Sequence, residues 1–203
     1  MTRPPLVLLA LIPALCAGCA SFELVQLPAR KADLYPLAEQ NRDVWIAVDA
    51  ITQAKRSRRF FGADLADHGI HPIEIVVTNF GRKRIRIGPS DVFLVRGGAV
   101  IDPIPLDEVA AVVTDRLGIV TGGTSDRIGR FLLDLSFRDS VVGPGQSYHG
   151  VMFFDTSEDE PGRISRFFRV TRLYPEPSFY LTAAVTDLDR KRRVGFGPFG
   201  IFQ

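Results

Sequence analysis

From residue 43 onward, the sequence is a series of short segments in which apolar and polar residues alternate. Examples are DVWIAVDAI (43–51), IEIVVTN (73–79) and RIRI (84–87), each of which puts its apolar side chains on one face. Further segments of this kind are VFLVR, YHGVMFFD, FFRVTRLY, FYLTAAVTD and RRVGFGPF. About eight strands separated by turns predict a mainly β fold, an antiparallel sandwich or an open barrel.

Two segments interrupt this β pattern. PLDEVAAVVTDRLG (105–118) has proline at its start, acids in its first turn and a final glycine, and DRIGRFLLDLSF (126–137) has apolar residues at helical spacing. We predict a helical insertion around 106–137 whose apolar face forms a satellite core. The shorter FFGADLADHGI (60–70) predicts one helical turn that ends at Gly69.

The apolar stretch LLALIPALCAGCAS (8–21) is too short to cross a membrane, because a spanning helix needs about 20 apolar residues. It follows a single cation, Arg3, and ends in small residues. This arrangement is typical of a secretory signal peptide.

Within that stretch, Leu15-Cys16-Ala17-Gly18-Cys19 resembles the lipobox of bacterial lipoproteins, although Cys16 stands where that family usually has Leu. The resemblance implies that residues 1–18 are a signal peptide and that Cys19 is acylated, for example with palmitate. Because Ala20 follows instead of Asp, it also implies a cell-envelope protein anchored in the outer membrane and facing the periplasm. Several acyl chains bind a membrane stably.

The remaining chain divides into two parts. Residues 19–42, with prolines but no sustained period, are predicted to be a lipid-anchored tether, and residues 43–203 one β-sandwich domain with the helical excursion at 106–140. A net charge of only +2 disfavours nucleic acid as a partner. Beyond Cys19 the chain has no cysteine, which excludes a disulfide, a thiol nucleophile and a thiolate metal site there. No cofactor is predicted.

A second resemblance concerns the domain itself. The residues from Phe61-Gly62-Ala63-Asp64-Leu65 through Gly69-Ile70-His71-Pro72-Ile73 to Asn79 resemble a loose group of uncharacterised bacterial lipoproteins. Pro144-Gly145-Gln146 before GVMFFD is similar to the turn that precedes a core strand in many extracytoplasmic immunoglobulin-like domains. Together they imply an immunoglobulin-like β-sandwich, and they imply no activity.

Two histidine pairings suggest chemistry. His68 and His71 have HxxH spacing, but a zinc site needs three or four protein ligands, so we expect two exposed loop histidines. Ser147 and His149 lie two apart on a predicted strand, the pairing of a nucleophile and a base. Because the string lacks a hydrolase elbow and an identified acid, no enzyme activity is predicted from it.

The loop DTSEDEPGR (155–163) and the C-terminal segment each have two interpretations. The acids of the loop could hold Ca²⁺, but their spacing is not that of an EF-hand and favours a solvated loop. These acids are Asp155, Glu158, Asp159 and Glu160. VGFGPFGIFQ (194–203) is interpreted as a final strand closing the core or as an exposed aromatic tail. Its large apolar residues are Phe196, Phe199, Ile201 and Phe202.

Three basic runs, KRSRR (55–59), RKRIR (82–86) and DRKRR (189–193), lie at predicted loops or strand ends. They predict a contact patch at one end of the sandwich, made of Arg56, Arg58, Arg59, Arg82, Lys83, Arg84, Arg190, Lys191 and Arg192. Such a patch could bind anionic headgroups, lipopolysaccharide or an acidic partner. The alternative is that the charges only protect strand edges from pairing.

The sequence therefore favours a membrane-anchored envelope protein that acts as a non-catalytic binding or scaffolding module. Its expected partners are the membrane, through the lipid, and an envelope protein or an anionic surface. One alternative is an envelope serine hydrolase that uses Ser147 and His149. Another is a small-ligand carrier, which needs a cavity between the sheets.

Overall fold

The computed structural model describes residues 25–28, 30–118, 122–156 and 177–202, and every structural statement below concerns these ranges. Three α-helices occur in them: α1 (Ala54–Phe61), α2 (Leu106–Arg116) and α3 (Gly122–Leu135). The strands are β1 (Ala38–Asn41), β2 (Val44–Ala50), β3 (Ile70–Asn79), β4 (Ile85–Ile87), β5 (Val92–Arg96), β6 (Ala99–Ile101), β7 (Ser140–Val142), β8 (Ser147–Asp155), β9 (Phe179–Asp187) and β10 (Arg192–Ile201).

The strands form two sheets in which every described pairing is antiparallel. Sheet 1 has the order β1-β2-β3-β8. Sheet 2 has the order β6-β5-β9-β4-β7, and β10 pairs with β9 as well. The mainly β, antiparallel two-sheet fold predicted from the alternation is confirmed.

The main core lies between the two sheets. The alternation in β2 directs Val44, Ile46 and Val48 into it, and β4 buries Ile85 and Ile87 while Arg86 between them is exposed. The last strand contributes its large apolar residues to this core, as the closing-strand interpretation predicts: Phe196, Phe199 and Ile201. The following residue, Phe202, is 52% exposed.

A second core covers part of the outer face of sheet 1, so that the fold has a helical third layer. Its helical members are Phe60, Phe61, Val109, Val113, Ile128, Leu132 and Leu135, which pack with Val151 and Phe153 of β8. The predicted helical insertion and its satellite core are thereby confirmed. Because sheet 1 is covered on both sides, every residue of β3 is buried.

Residues 32–41 of the predicted tether pack against sheet 1, so the folded part of the chain begins before the predicted boundary at residue 43. Strand β1 pairs with β2 over Asn41↔Val44 to Ala38↔Ala47. Upstream of it, Ala32 is fully buried and donates its N–H to the Thr78 hydroxyl at 2.9 Å. Apolar residues at irregular spacing look unstructured in a sequence, yet here Ala32 and Tyr35 pack with Ala47 and Val76 of sheet 1. Residues 19–24 of the predicted tether lie outside the described ranges.

The first basic run also differs from expectation, because KRSRR belongs to α1 and not to a loop. The aromatic residues that follow it supply a buried face, and Gly62 ends the helix in the left-handed conformation. The strand predicted for FFRVTRLY lies outside the described residues. No helix in the described part of the chain is long and apolar enough to span a membrane.

Candidate functional site

Two of the three basic runs meet at one end of the molecule. Residues 82–84 lie between β3 and β4, residues 190–192 lie at the turn from β9 into β10, and the N–H of Leu188 donates to the carbonyl of Arg84 at 3.1 Å. Between them lies a cleft of about 340 Å³. Its lining includes Arg42, Asp43, Phe80, Arg82, Lys83, Asp187 and Arg190. We call this region the basic end.

Asn79 holds the loop of the basic end in place. Its buried side-chain amide donates to the carbonyls of Lys83, at 2.6 Å, and Val142, at 3.0 Å, and its Oδ1 accepts the N–H of Gly81 at 3.0 Å. The cations of residues 82–84 therefore project from a fixed backbone. The opposite side of the cleft is fixed by Asp187, whose Oδ1 accepts two backbone N–H groups at 3.0 Å.

The charges of the basic end are largely free of partners. Among the described residues, the side chains of Arg82, Arg84 and Arg190 make no ion pair. The pKa of the Asp187 carboxyl is lowered, first by the backbone N–H of Arg190 and then by other groups that include the charges of Lys83 and Arg190. The cleft thus keeps an excess of positive charge that faces solvent.

The third basic run lies at the other end of sheet 1. Strands β2 and β3 pair from Val44↔Asn79 at the basic end to Ala50↔Ile73, and α1 follows the latter end. The structure therefore separates Arg56, Arg58 and Arg59 from the other predicted patch residues. Two of these arginines are paired with carboxylates, Arg56 with Asp49 and Arg58 with Asp64.

Around Arg56, the outer face of sheet 1 carries a group of polar side chains. Asp49 and Glu74 are direct cross-strand partners. Arg56 binds Asp49 with both guanidinium nitrogens, at 3.0 and 2.6 Å, while Glu74 contacts the Tyr35 hydroxyl at 3.3 Å and His149 Nδ1 at 3.1 Å. Burial, and then the charge of Glu74, raise the pKa of the Tyr35 hydroxyl, which keeps it a donor.

These groups line a cavity of about 580 Å³ between sheet 1, α1 and the segment before β1. We call it the Glu74 cavity. Its lining includes Val25, Leu27, Arg30, Leu34, Tyr35, Asp49, Arg56, Arg59, Phe60 and Glu74. Its walls are therefore partly apolar and partly charged, a combination typical of small-ligand sites. It lies outside the sandwich and not between the sheets, where a carrier cavity was expected.

The sequence did not reveal this cavity. Tyr35 lies in the segment interpreted as a tether, and Asp49 and Glu74 are 25 residues apart in strands predicted to put their apolar side chains on one face. The available signal was one carboxylate inside IEIVV, because such an acid in a buried strand needs partners. Which residues supply them depends on the strand register.

Ser147 and His149 do not form a catalytic pair. The Ser147 hydroxyl bonds to the Thr78 hydroxyl at 2.9 Å, and His149 bonds to Glu74, so each side chain is committed to a different residue of β3. In the described ranges no hydrogen bond joins Ser147 to His149, and both point the same way from one strand. A serine nucleophile needs its base within hydrogen-bond reach.

The HxxH pair separates into two environments. His68 is partly exposed and accepts a hydrogen bond from Arg116 Nε at 2.6 Å. The expectation of an exposed loop is wrong for His71, which lies in β3, is 7% exposed and contacts the Thr156 hydroxyl and the Phe179 ring. Burial lowers the pKa of His71.

Among the described residues, no group of three or more His, Cys, Asp or Glu residues could hold a metal ion. Asp155 ends β8 and is exposed. The other acids of the predicted solvated loop, Glu158, Asp159 and Glu160, lie outside the described residues.

No protein-family model matches the chain, and no curated protein matches it. Among solved structures, the chain resembles the crystal structure of a putative lipoprotein (ycdA) from Bacillus subtilis, with a TM-score of 0.40 and 11% sequence identity. The similarity covers 81% of this chain and 38% of that chain. This similarity is too low to transfer a property of that protein to this one.

Proposed function

We propose that this protein is a lipid-anchored protein of the cell envelope that acts as a non-catalytic binding module. Support for the anchor comes from the lipobox-like residues Ala17, Gly18 and Cys19 behind a short apolar stretch. The same pattern supports removal of residues 1–18, and Ala20 supports an outer-membrane address facing the periplasm. We also propose that the fold is an immunoglobulin-like sandwich, which is supported by the two antiparallel sheets that pack face to face.

The basic end is the proposed contact surface, and its partner is an acidic face of another envelope protein. The observation that carries this proposal is that Arg82 and Lys83 of one run and Arg190 of the other, more than a hundred positions apart, line one cleft. The half-exposed ring of Phe80 adds an aromatic side chain next to arginines, a combination that is enriched in protein interfaces. An acidic partner supplies the charge complementarity.

The binding proposal is favoured over the hydrolase because the candidate nucleophile has no base. Ser147 and His149 are each held by a different residue of β3. The hydrolase alternative therefore needs two part-buried hydrogen bonds to rearrange before the first proton transfer. A serine-reactive probe that labelled the wild type but not Ser147→Ala would restore it.

The anchor is tested by metabolic labelling with a clickable fatty acid. Wild type is compared with Cys19→Ser and with the control Cys16→Ser, which alters the neighbouring cysteine but leaves the proposed acylation site. We expect label in the wild type and in the control, none in Cys19→Ser, and co-fractionation of labelled protein with the outer membrane. Label that persists in Cys19→Ser would contradict the assignment.

The contact surface is tested by photo-cross-linking in intact cells from a photoreactive residue at position 80. We compare wild type with Arg82→Glu/Arg190→Glu and with Arg127→Glu/Arg130→Glu, an equal charge change on the exposed face of α3. A cross-linked product is expected in the wild type and the α3 control, and its loss is expected in the basic-end variant. Equal products in all three would overturn the proposal, as would cross-links to lipid alone.

A further inference from the structure

The Glu74 cavity lies apart from the basic end, and we infer that it binds an amphipathic anion. In this proposal, Arg30 and Arg59 hold a phosphate or carboxylate head group. The attached hydrocarbon lies against Leu27, Leu34 and Phe60. The inference does not depend on the proposed anchor or on the proposed contact surface.

The carboxylates of the cavity do not draw a cation, because each is already neutralised or hydrogen-bonded. Both oxygens of Asp49 are held by Arg56, at 3.0 and 2.6 Å. Glu74 has one oxygen on Tyr35 and the other on His149, and it is 2% exposed. A cationic ligand would have to break one of these contacts, whereas an anion would not.

Two guanidinium groups in the lining are unused. In the described part of the chain, Arg30 and Arg59 make no hydrogen bond and no ion pair, and the Arg59 guanidinium lies 5.8 Å from the centre of the Phe60 ring. They come from different segments, the stretch before β1 and helix α1. A guanidinium matches the planar oxygens of carboxylate and phosphate, so two of them on one cavity favour an anionic head group.

The remaining lining favours an apolar tail on that head group. Val25, Leu27 and Phe60 line the wall, and Leu34 lines it although 65% of Leu34 is exposed to solvent. An exposed leucine beside a cavity wall loses water contact when a hydrocarbon covers it. About 580 Å³ lies within the range of small-molecule sites and suits one head group with part of one chain.

The test is native mass spectrometry of the full chain in dodecyl maltoside, an uncharged amphiphile with the same tail as the probe, dodecyl phosphate. One molecule of dodecyl phosphate is expected to bind per chain, with inorganic phosphate binding much more weakly. Arg30→Gln/Arg59→Gln is expected to reduce the affinity for dodecyl phosphate by at least about tenfold, since the loss of one hydrogen bond to a charged group lowers a binding constant by roughly tenfold. The matched control Arg127→Gln/Arg130→Gln is expected to bind as the wild type does.

Leu34→Ser, which removes the apolar side chain without adding a charge, separates tail binding from head-group binding. Because this side chain is largely exposed, the variant is expected to fold, which its unfolding temperature checks, and to weaken dodecyl phosphate binding while leaving that of inorganic phosphate unchanged. Nanodiscs containing phosphatidic acid or only phosphatidylcholine then tell a bilayer lipid from a free amphiphile. Equal affinity in wild type and the arginine variant, or equal affinity for inorganic phosphate and dodecyl phosphate, would overturn the inference.

Discussion

Asp49 and Glu74 stand directly opposite each other on the outer face of sheet 1, as cross-strand partners of β2 and β3. Like charges in this position destabilise an antiparallel pair. Each carboxylate has its own compensating group, a bidentate arginine for Asp49 and a tyrosine hydroxyl with a histidine for Glu74. The stability of this part of sheet 1 therefore depends on residues from three other segments.

Arg56→Gln is expected to lower the free energy of unfolding by about 1–2 kcal/mol, because it leaves Asp49 facing Glu74 without a counter-charge. The expected loss is small because solvent screens the ion pair, in which both side chains are about a third exposed. In urea titrations, Asp49→Asn/Arg56→Gln should cost less than the sum of its single changes. The control Arg86→Gln removes its pair with Asp139, whose two side chains are 45% and 68% exposed, and should change little; a loss as large as that of Arg56→Gln would contradict the argument.

The buried His71 makes stability depend on pH below neutrality. Burial and the charge of Arg96 lower its pKa in the folded state, so below about pH 6.5 the unfolded chain binds more protons. The free energy of unfolding should therefore fall as the pH falls from 7.5 to 5.5. We expect His71→Asn, which keeps a polar atom near Thr156, to flatten this slope in chemical denaturation; an unchanged slope would show that the imidazole binds protons equally in the folded and unfolded states.

The strands were predictable because their signal is local. Alternation over a few residues determines which face of β2 and of β4 is apolar, and the structure buries those faces. The third layer was not predictable in this way. A strand such as β3, buried on both sides, has polar residues like Glu74 and Thr78 that look solvated until the covering segments are known.

Helix α1 and the Glu74 cavity show what local signals omit. In KRSRRFF the charges suggest a loop, and the helix is stabilised by the burial of Phe60 and Phe61 against distant residues. The cavity needs the register that pairs Asp49 with Glu74 and a contact from Tyr35, 39 residues before Glu74. A single sequence specifies neither. The basic end was half predictable, since the runs are visible but their positions in the fold are not.

Gly150 is required by close backbone packing and not by its own conformation. A Cβ at this position of β8 would lie 2.6 Å from the Cα of Phe137 and 2.8 Å from its nitrogen. That backbone cannot move away freely, because the Phe137 N–H donates to the carbonyl of Val151 at 2.9 Å. We expect Gly150→Ala to destabilise the protein by about 1–3 kcal/mol.

The matched control for that change is Gly195→Ala in β10, where an added Cβ meets nothing within 4 Å. It should alter the free energy of unfolding by less than about 0.5 kcal/mol. Urea unfolding of both variants gives the comparison. Equal effects would mean that the loss at Gly150 comes from the general change of glycine to alanine and not from the contact with Phe137.

The helical hairpin is expected to unfold together with the sandwich, because its buried face belongs to the second core. Ile128 of α3 is 1% exposed, whereas Leu133 of the same helix is 48% exposed. Ile128→Ala should lower the free energy of unfolding by about 2–5 kcal/mol through the cavity it leaves, and Leu133→Ala by less than about 0.5 kcal/mol. Circular dichroism follows the helices and Trp45 fluorescence follows sheet 1. Coincident midpoints in both variants are expected, and a separate, earlier helical transition in Ile128→Ala would show that the third layer folds independently.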